Sequence, residues 1–87
     1  MSRREELQVV LDREVARWSR MSCEELASEL REEQTYEIEV ESKRYQVEVQ
    51  LLENTNLYVH VCVSVDDGSL LRSISPSTTG FIKQKNA

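Results

Sequence analysis

Residues 35–65 read TYEIEVESKRYQVEVQLLENTNLYVHVCVSV, and this stretch decides the fold. Apolar and polar residues alternate in three consecutive runs. Tyr36, Ile38 and Val40 alternate with Glu37, Glu39 and Glu41. Tyr45, Val47, Val49 and Leu51 alternate with Gln46, Glu48 and Gln50. Leu57, Val59, Val61, Val63 and Val65 alternate with Tyr58, His60, Cys62 and Ser64. A period of two sends successive side chains to opposite faces of a strand, so each run is a strand with one face to cover. Short polar connections at Ser42-Lys43 and at residues 53–56 join them into an antiparallel meander. The expected strands are 35–41, 44–52 and 57–65. Asp67-Gly68 is a strong hairpin signal and predicts a fourth strand over 70–75 that stops before Pro76. Residues 76–80 then read as a loop, with Phe81 and Ile82 tied back to the core and 83–87 as a loose tail.

Upstream of residue 35 the period changes to 3.6. Leu7, Val10, Leu11, Val15 and Trp18 recur at spacings of three and four, which gathers them on one helical face. Ser2 and Glu5 form an S-x-x-E capping box, and the helix is expected over 3–19. Ser22 and Glu25 form a second capping box. Met21 before the cap and Leu26 at the fourth helical position make a hydrophobic staple, so a second helix is expected over 23–33. An amphipathic helix pair and a one-faced meander cover each other. The predicted fold is therefore α+β, with two N-terminal helices packed on one face of a four-stranded antiparallel sheet, in a single domain spanning residues 1–87.

Register follows from the alternation. Pairing Val40 with Tyr45 sets Ile38 opposite Val47 and Tyr36 opposite Val49. Pairing Leu51 with Leu57 sets Val49 opposite Val59 and Val47 opposite Val61. All these apolar positions then share one face. On the other face His60 is expected opposite Glu48, Tyr58 opposite Gln50 and Cys62 opposite Gln46. Past Asp67-Gly68, either Arg72 or Leu71 turns toward the core, and the pattern leaves that choice open.

Composition bounds the function. The chain has 87 residues, 39% of them hydrophobic and 31% charged, with two Gly and one Pro, which excludes disordered and collagen-like classes. The net charge is -5 and the sequence pI is about 4.9. That balance disfavours nucleic acid and anionic membrane surfaces as partners, since both recruit cationic side chains. The opening MSRREELQ lacks the apolar core of a signal peptide, and no apolar run approaches the roughly 20 residues of a membrane helix, so a cytoplasmic location is expected. Cys23 and Cys62 are the only cysteines and form no C-x-x-C motif; they are expected as reduced, buried, small apolar side chains.

The uncovered sheet face carries the candidate residues Glu37, Glu39, Glu48, Tyr58, His60 and Cys62. Cys62, His60 and Glu48 have the residue types of nucleophile, base and orienter. However, His60 and Cys62 stand two apart on one strand, about 6.6 Å between Cα atoms, and no Gly-rich turn or helix start supplies an oxyanion site. One His and one Cys fall short of a zinc set, and Asp66-Asp67-Gly68-Ser69 is a turn rather than a calcium loop. No metal, cofactor or catalytic activity is expected. The row Glu37, Glu39 and Glu41 reads as charge on an edge strand that discourages sheet-to-sheet pairing, with an acidic surface for a basic partner as the weaker reading. Leu52, Tyr58 and Cys62 are the apolar members of the face and suit self-association. Trp18 could line a pocket under the sheet, but the inward residues offer almost no polar group beyond the Tyr36 and Tyr45 hydroxyls, so a filled core is expected.

The segments VCVSVDDGSLLRSISPSTTGFIK, REVARWSRMSCEEL and YEIEVESKRYQVEV together resemble a small family of uncharacterised bacterial α+β proteins. That resemblance spans most of the chain and implies no activity and no site residues. The layout is also similar in outline to cystatin-like and NTF2-like folds, which host both binding modules and enzymes. The expectation is a non-enzymatic protein-interaction or structural module. Its partner is either a foreign protein or a second copy in a homodimer. The alternative is a small-ligand-binding or NTF2-like catalytic domain that uses the open sheet face.

Overall fold

A computed structural model describes residues 3–67 and 77–85. Two helices, α1 (Arg3–Ser19) and α2 (Cys23–Glu29), precede four strands, β1 (Gln34–Val40), β2 (Lys43–Asn54), β3 (Tyr58–Asp66) and β4 (Ser77–Gln84). The strands form one antiparallel sheet in the order β1-β2-β3-β4. The α+β class and the packing of both helices against the sheet agree with the pattern in the sequence: α1 lies over β3 and β4, and α2 over β2 and β3.

The alternation sorted the faces as expected. Val47, Val49, Val59, Val61, Val63 and Val65 are buried beneath Leu7, Val10, Leu11, Trp18, Leu26 and Leu30. Removing each of these side chains from water contributes about 1.5–3 kcal/mol. The capping box at α2 forms as read, with Ser22 Oγ accepting from Glu25 N and Glu25 Oε1 accepting from Ser22 N. The helix stops at Glu29 rather than Glu33, because Leu30 leaves helical geometry and Gln34 Nε2 donates to the Glu29 carbonyl at 2.9 Å. That side-chain bond satisfies a terminal carbonyl and turns the chain into β1. The capping box expected at Ser2 lies outside the described residues.

The partners across the sheet differ from the expectation. Val40 pairs with Lys43, Ile38 with Tyr45 and Tyr36 with Val47. The turn is Glu41-Ser42, and both residues have positive φ, 50 and 68. This is the signature of a type I′ hairpin, whose twist matches that of the strands. Glu and Ser are poor in that conformation, so Glu41→Asn with Ser42→Gly is expected to stabilise the fold by about 1 kcal/mol. A urea midpoint checks it; no gain would mean that the turn relaxes from this geometry.

Across the next pair, Val47 faces Val65, Val49 faces Val63 and Leu51 faces Val61. A bulge between Leu51 and Glu53 then brings Glu53 opposite His60 and Asn54 opposite Val59. Leu57 falls into the connecting loop and is 74% exposed, not inward as expected. Thr55 organises that loop, its Oγ1 accepting from the backbone of Leu57 and Tyr58 at 3.1 Å.

The fourth strand is the largest correction. Residues 77–84, expected as a loop, a core-bound Phe81-Ile82 and a tail, form β4, with Ser77 opposite Val65 and Gln84 opposite Tyr58. Phe81 packs against the core as expected, whereas Ile82 faces outward. Lys85 N continues the ladder to the Leu57 carbonyl at 2.8 Å. The Asp67-Gly68 turn expected after β3 runs into residues outside the described ones, and the described partner of β3 begins at Ser77. The strand expected over 70–75, and the choice between Leu71 and Arg72, lie outside the described residues. Lys83 shows why the chain returns here: its Nζ donates to the carbonyls of Ser19 and Met21 at 2.9 and 2.6 Å, closing the end of α1.

One polar seam crosses the core. Trp18 Nε1 donates to Tyr36 Oη at 2.8 Å, and Tyr36 Oη donates to Glu14 Oε1. Glu14 is only 6% exposed. The Arg17 guanidinium lies 3.4 Å from the same carboxylate and over the Trp18 and Tyr36 rings at 5.8 and 5.4 Å. Among the described residues no buried side-chain polar atom lacks a partner.

Candidate functional site

The open face is built by the polar phase of the four strands. Glu37, Glu39, Glu48, Tyr58, His60 and Cys62 all lie on it, as the alternation implies. The register separates them into two groups. Glu37 belongs to the β1 margin and pairs with Arg44 at 3.5 Å, beside Glu39, whose strand partner is Arg44. Glu48 sits opposite Ser64, away from His60. The expected His60–Glu48, Tyr58–Gln50 and Cys62–Gln46 pairs do not form, because the β2–β3 ladder is offset by four residues; Cys62 faces Gln50 instead.

Tyr58, His60 and Cys62 do stand in one column on β3. The bulge supplies the carboxylate that Glu48 was expected to give. Glu53 Oε2 accepts from Tyr58 Oη at 3.3 Å, and Glu53 Oε1 lies 3.5 Å from His60 Nδ1. That second contact is an ion pair only when the imidazole is protonated. The negative charge of Glu53, then burial, then the hydrogen bond push the Tyr58 hydroxyl above its ordinary pKa. The far edge of the imidazole lies over Gly80, the partner of Cys62: a Cβ there would stand 3.0 Å from His60 Nε2 and 3.2 Å from the Val61 carbonyl. Glycine is thus what admits the ring against the backbone. Ile82, opposite His60, is 58% exposed, and Leu52, carried outward by the bulge, is 50% exposed. Cys23 and Cys62 are unpaired and half-buried, not buried.

Sequence reasoning missed Glu53, Gly80 and Ile82. Glu53 read as loop, and no residue type at 51–53 announces a bulge. Gly80 and Ile82 were hidden with β4.

Chemically, the column offers a carboxylate shared by a phenol and an imidazole on a flat, solvent-washed surface. Among the described residues no group of three His, Cys, Asp or Glu is arranged to hold a metal ion. A groove of about 690 Å³ opens elsewhere, between the start of α2 and the end of β4, with Cys23, Glu24 and Lys83 on its walls. Of the cations lining it, Arg20, Lys83 and Lys85, Lys83 is already committed to the carbonyls of Ser19 and Met21 and Lys85 to Asn54 Oδ1. No helix among the described residues is long and apolar enough to cross a membrane. Compared with protein-family models, curated proteins and solved structures, the chain matches none.

Proposed function

We propose that the chain is a non-enzymatic protein-contact module whose open sheet face is the working surface. The observation that carries this reading is the gathering of Leu52, Tyr58, Cys62 and Ile82 around the Glu53–His60 pair, on the one sheet face that the helices leave bare. An apolar set with an embedded hydrogen-bonding pair is the make-up of a contact surface. The resemblance to a bacterial family without assigned activity accords with it. A cytoplasmic setting belongs to the same reading and is supported by the two unpaired cysteines. Small-molecule capture on this face is the second reading, favoured by the Glu53 carboxylate that Tyr58 and His60 share.

A benzophenone side chain placed at Tyr58 and irradiated in cells that make the protein tests the contact surface. Covalent adducts identified by mass spectrometry are expected at position 58. They should be absent when the probe replaces Arg13, which is exposed on α1. No adduct at position 58, or equal adducts at both positions, would remove the open face as the contact surface.

A further inference from the structure

The sheet has two edges of opposite character. The Leu57–Lys85 backbone bond fixes the phase of the β3–β4 ladder. Residues 77, 79, 81 and 83 therefore turn their N–H and C=O groups to β3, and 78, 80, 82 and 84 turn theirs outward. The Gln84 carbonyl is met by the Cys23 thiol at 3.7 Å. Thr78, Gly80 and Ile82 form an edge with no backbone partner among the described residues. The segment Ser77–Ile82, STTGFI, carries no charge and is rich in β-branched and aromatic residues.

At the opposite edge, the Val40–Lys43 hairpin phase turns Thr35, Glu37 and Glu39 outward. Pairing two copies of β1 about Glu37, or about Ile38, sets glutamate against glutamate or brings the two carboxylate rows together, which opposes association.

We infer that β4 pairs with β4 of a second copy of this chain, antiparallel and two-fold about Gly80, to make one continuous eight-stranded sheet. The inference rests on the contact-module reading and narrows it to a partner and an edge. The outward groups of β4 are self-complementary about Gly80. Gly80 meets its own copy, Thr78 meets Ile82 of the second chain on the open face, and Thr79 meets Phe81 on the helix side. These are β-branched and aromatic–β-branched pairs, the combinations that favour cross-strand association. Phe81, packed against the core but only half-buried at the edge, gains cover from the second copy, as does the exposed Ile82. An isologous contact of this kind closes at two copies.

Light scattering across a concentration series, in reductant, tests it. The wild-type mass is expected to rise from one chain to two and stop. Thr78→Pro removes an outward N–H and no backbone bond to β3, losing besides only the exposed hydroxyl bond to Ser64 at 3.0 Å. Its spectrum and melting should therefore stay near wild type while the dimer constant weakens at least about tenfold. Paired charges read the register. Thr78→Glu with Ile82→Glu should give a monomer, and Thr78→Lys with Ile82→Glu should restore the dimer. If Thr78→Pro does not fold, the two charge-pair variants decide alone. A monomer at every concentration overturns the inference. So does a dimer indifferent to both charge pairs, a mass that keeps growing through β1–β4 contacts, or a dimer seen only without reductant. A monomeric wild type that still gives adducts at position 58 retains the face reading and discards the edge. A β4 dimer without those adducts does the reverse.

Discussion

Leu26→Ala is expected to remove about 3–5 kcal/mol, most of what a chain of this length has. Leu26 is the sole buried residue of α2 and has no exposed surface. A helix of seven residues does not persist on propensity alone; it exists because its apolar side chain is docked on β2 and β3. Alanine leaves a cavity at that anchor, and the valines of β2 and β3 cannot close it without bending a paired sheet. Urea unfolding followed by the single tryptophan, Trp18, should show a much lower midpoint with an unchanged slope. Leu26→Met, nearly equal in volume, should cost less than about 1.5 kcal/mol. A loss below about 1 kcal/mol for the alanine variant would mean that α2 is not docked this way.

The same core shows what the amino-acid sequence makes legible. Alternation fixes which face a residue occupies, because the side-chain period in a strand is two. It does not fix which neighbour a residue meets. The β1–β2 ladder is offset by two residues from the simplest pairing and the β2–β3 ladder by four. Both offsets are even, so the faces survive while the cross-strand partners change. Turn chemistry decides the offset, and Glu41-Ser42 carries none of the Asn-Gly signal that marks a type I′ turn. β4 was concealed for a related reason. Ser77 and Gly80, following Pro76 in the sequence, are loop residues by local preference, and only tertiary pairing with β3 overrides the preference of Ser77 and Gly80. Glu14 was within reach. It lies four residues after Val10 and four before Trp18, on the buried stripe of α1, where a carboxylate demands a partner.

That demand sets the second large effect. Tyr36→Phe is expected to cost about 2–3 kcal/mol, because it strands two groups at once: the Trp18 indole N–H loses its acceptor and the Glu14 carboxylate loses its hydroxyl donor. The contribution has its own pH signature. Burial first, and then the hydrogen bond to Glu14, raise the Tyr36 pKa from 10.0 to about 12, with the Trp18 hydrogen bond and, less strongly, Arg17 acting in the other direction. The unfolded chain therefore gives up the phenolic proton before the folded one does. Stabilisation from the raised pKa is complete below pH 10 and is lost as pH climbs toward 12. Discounted for the partial exposure of Tyr36, that loss is about 1–2 kcal/mol. Urea midpoints of wild type and Tyr36→Phe should thus differ most at neutral pH and converge above pH 10, since phenylalanine has no proton to lose. A gap that stays constant through that range would mean the phenol titrates as it does in water, and that Glu14 is held by Arg17 rather than by Tyr36.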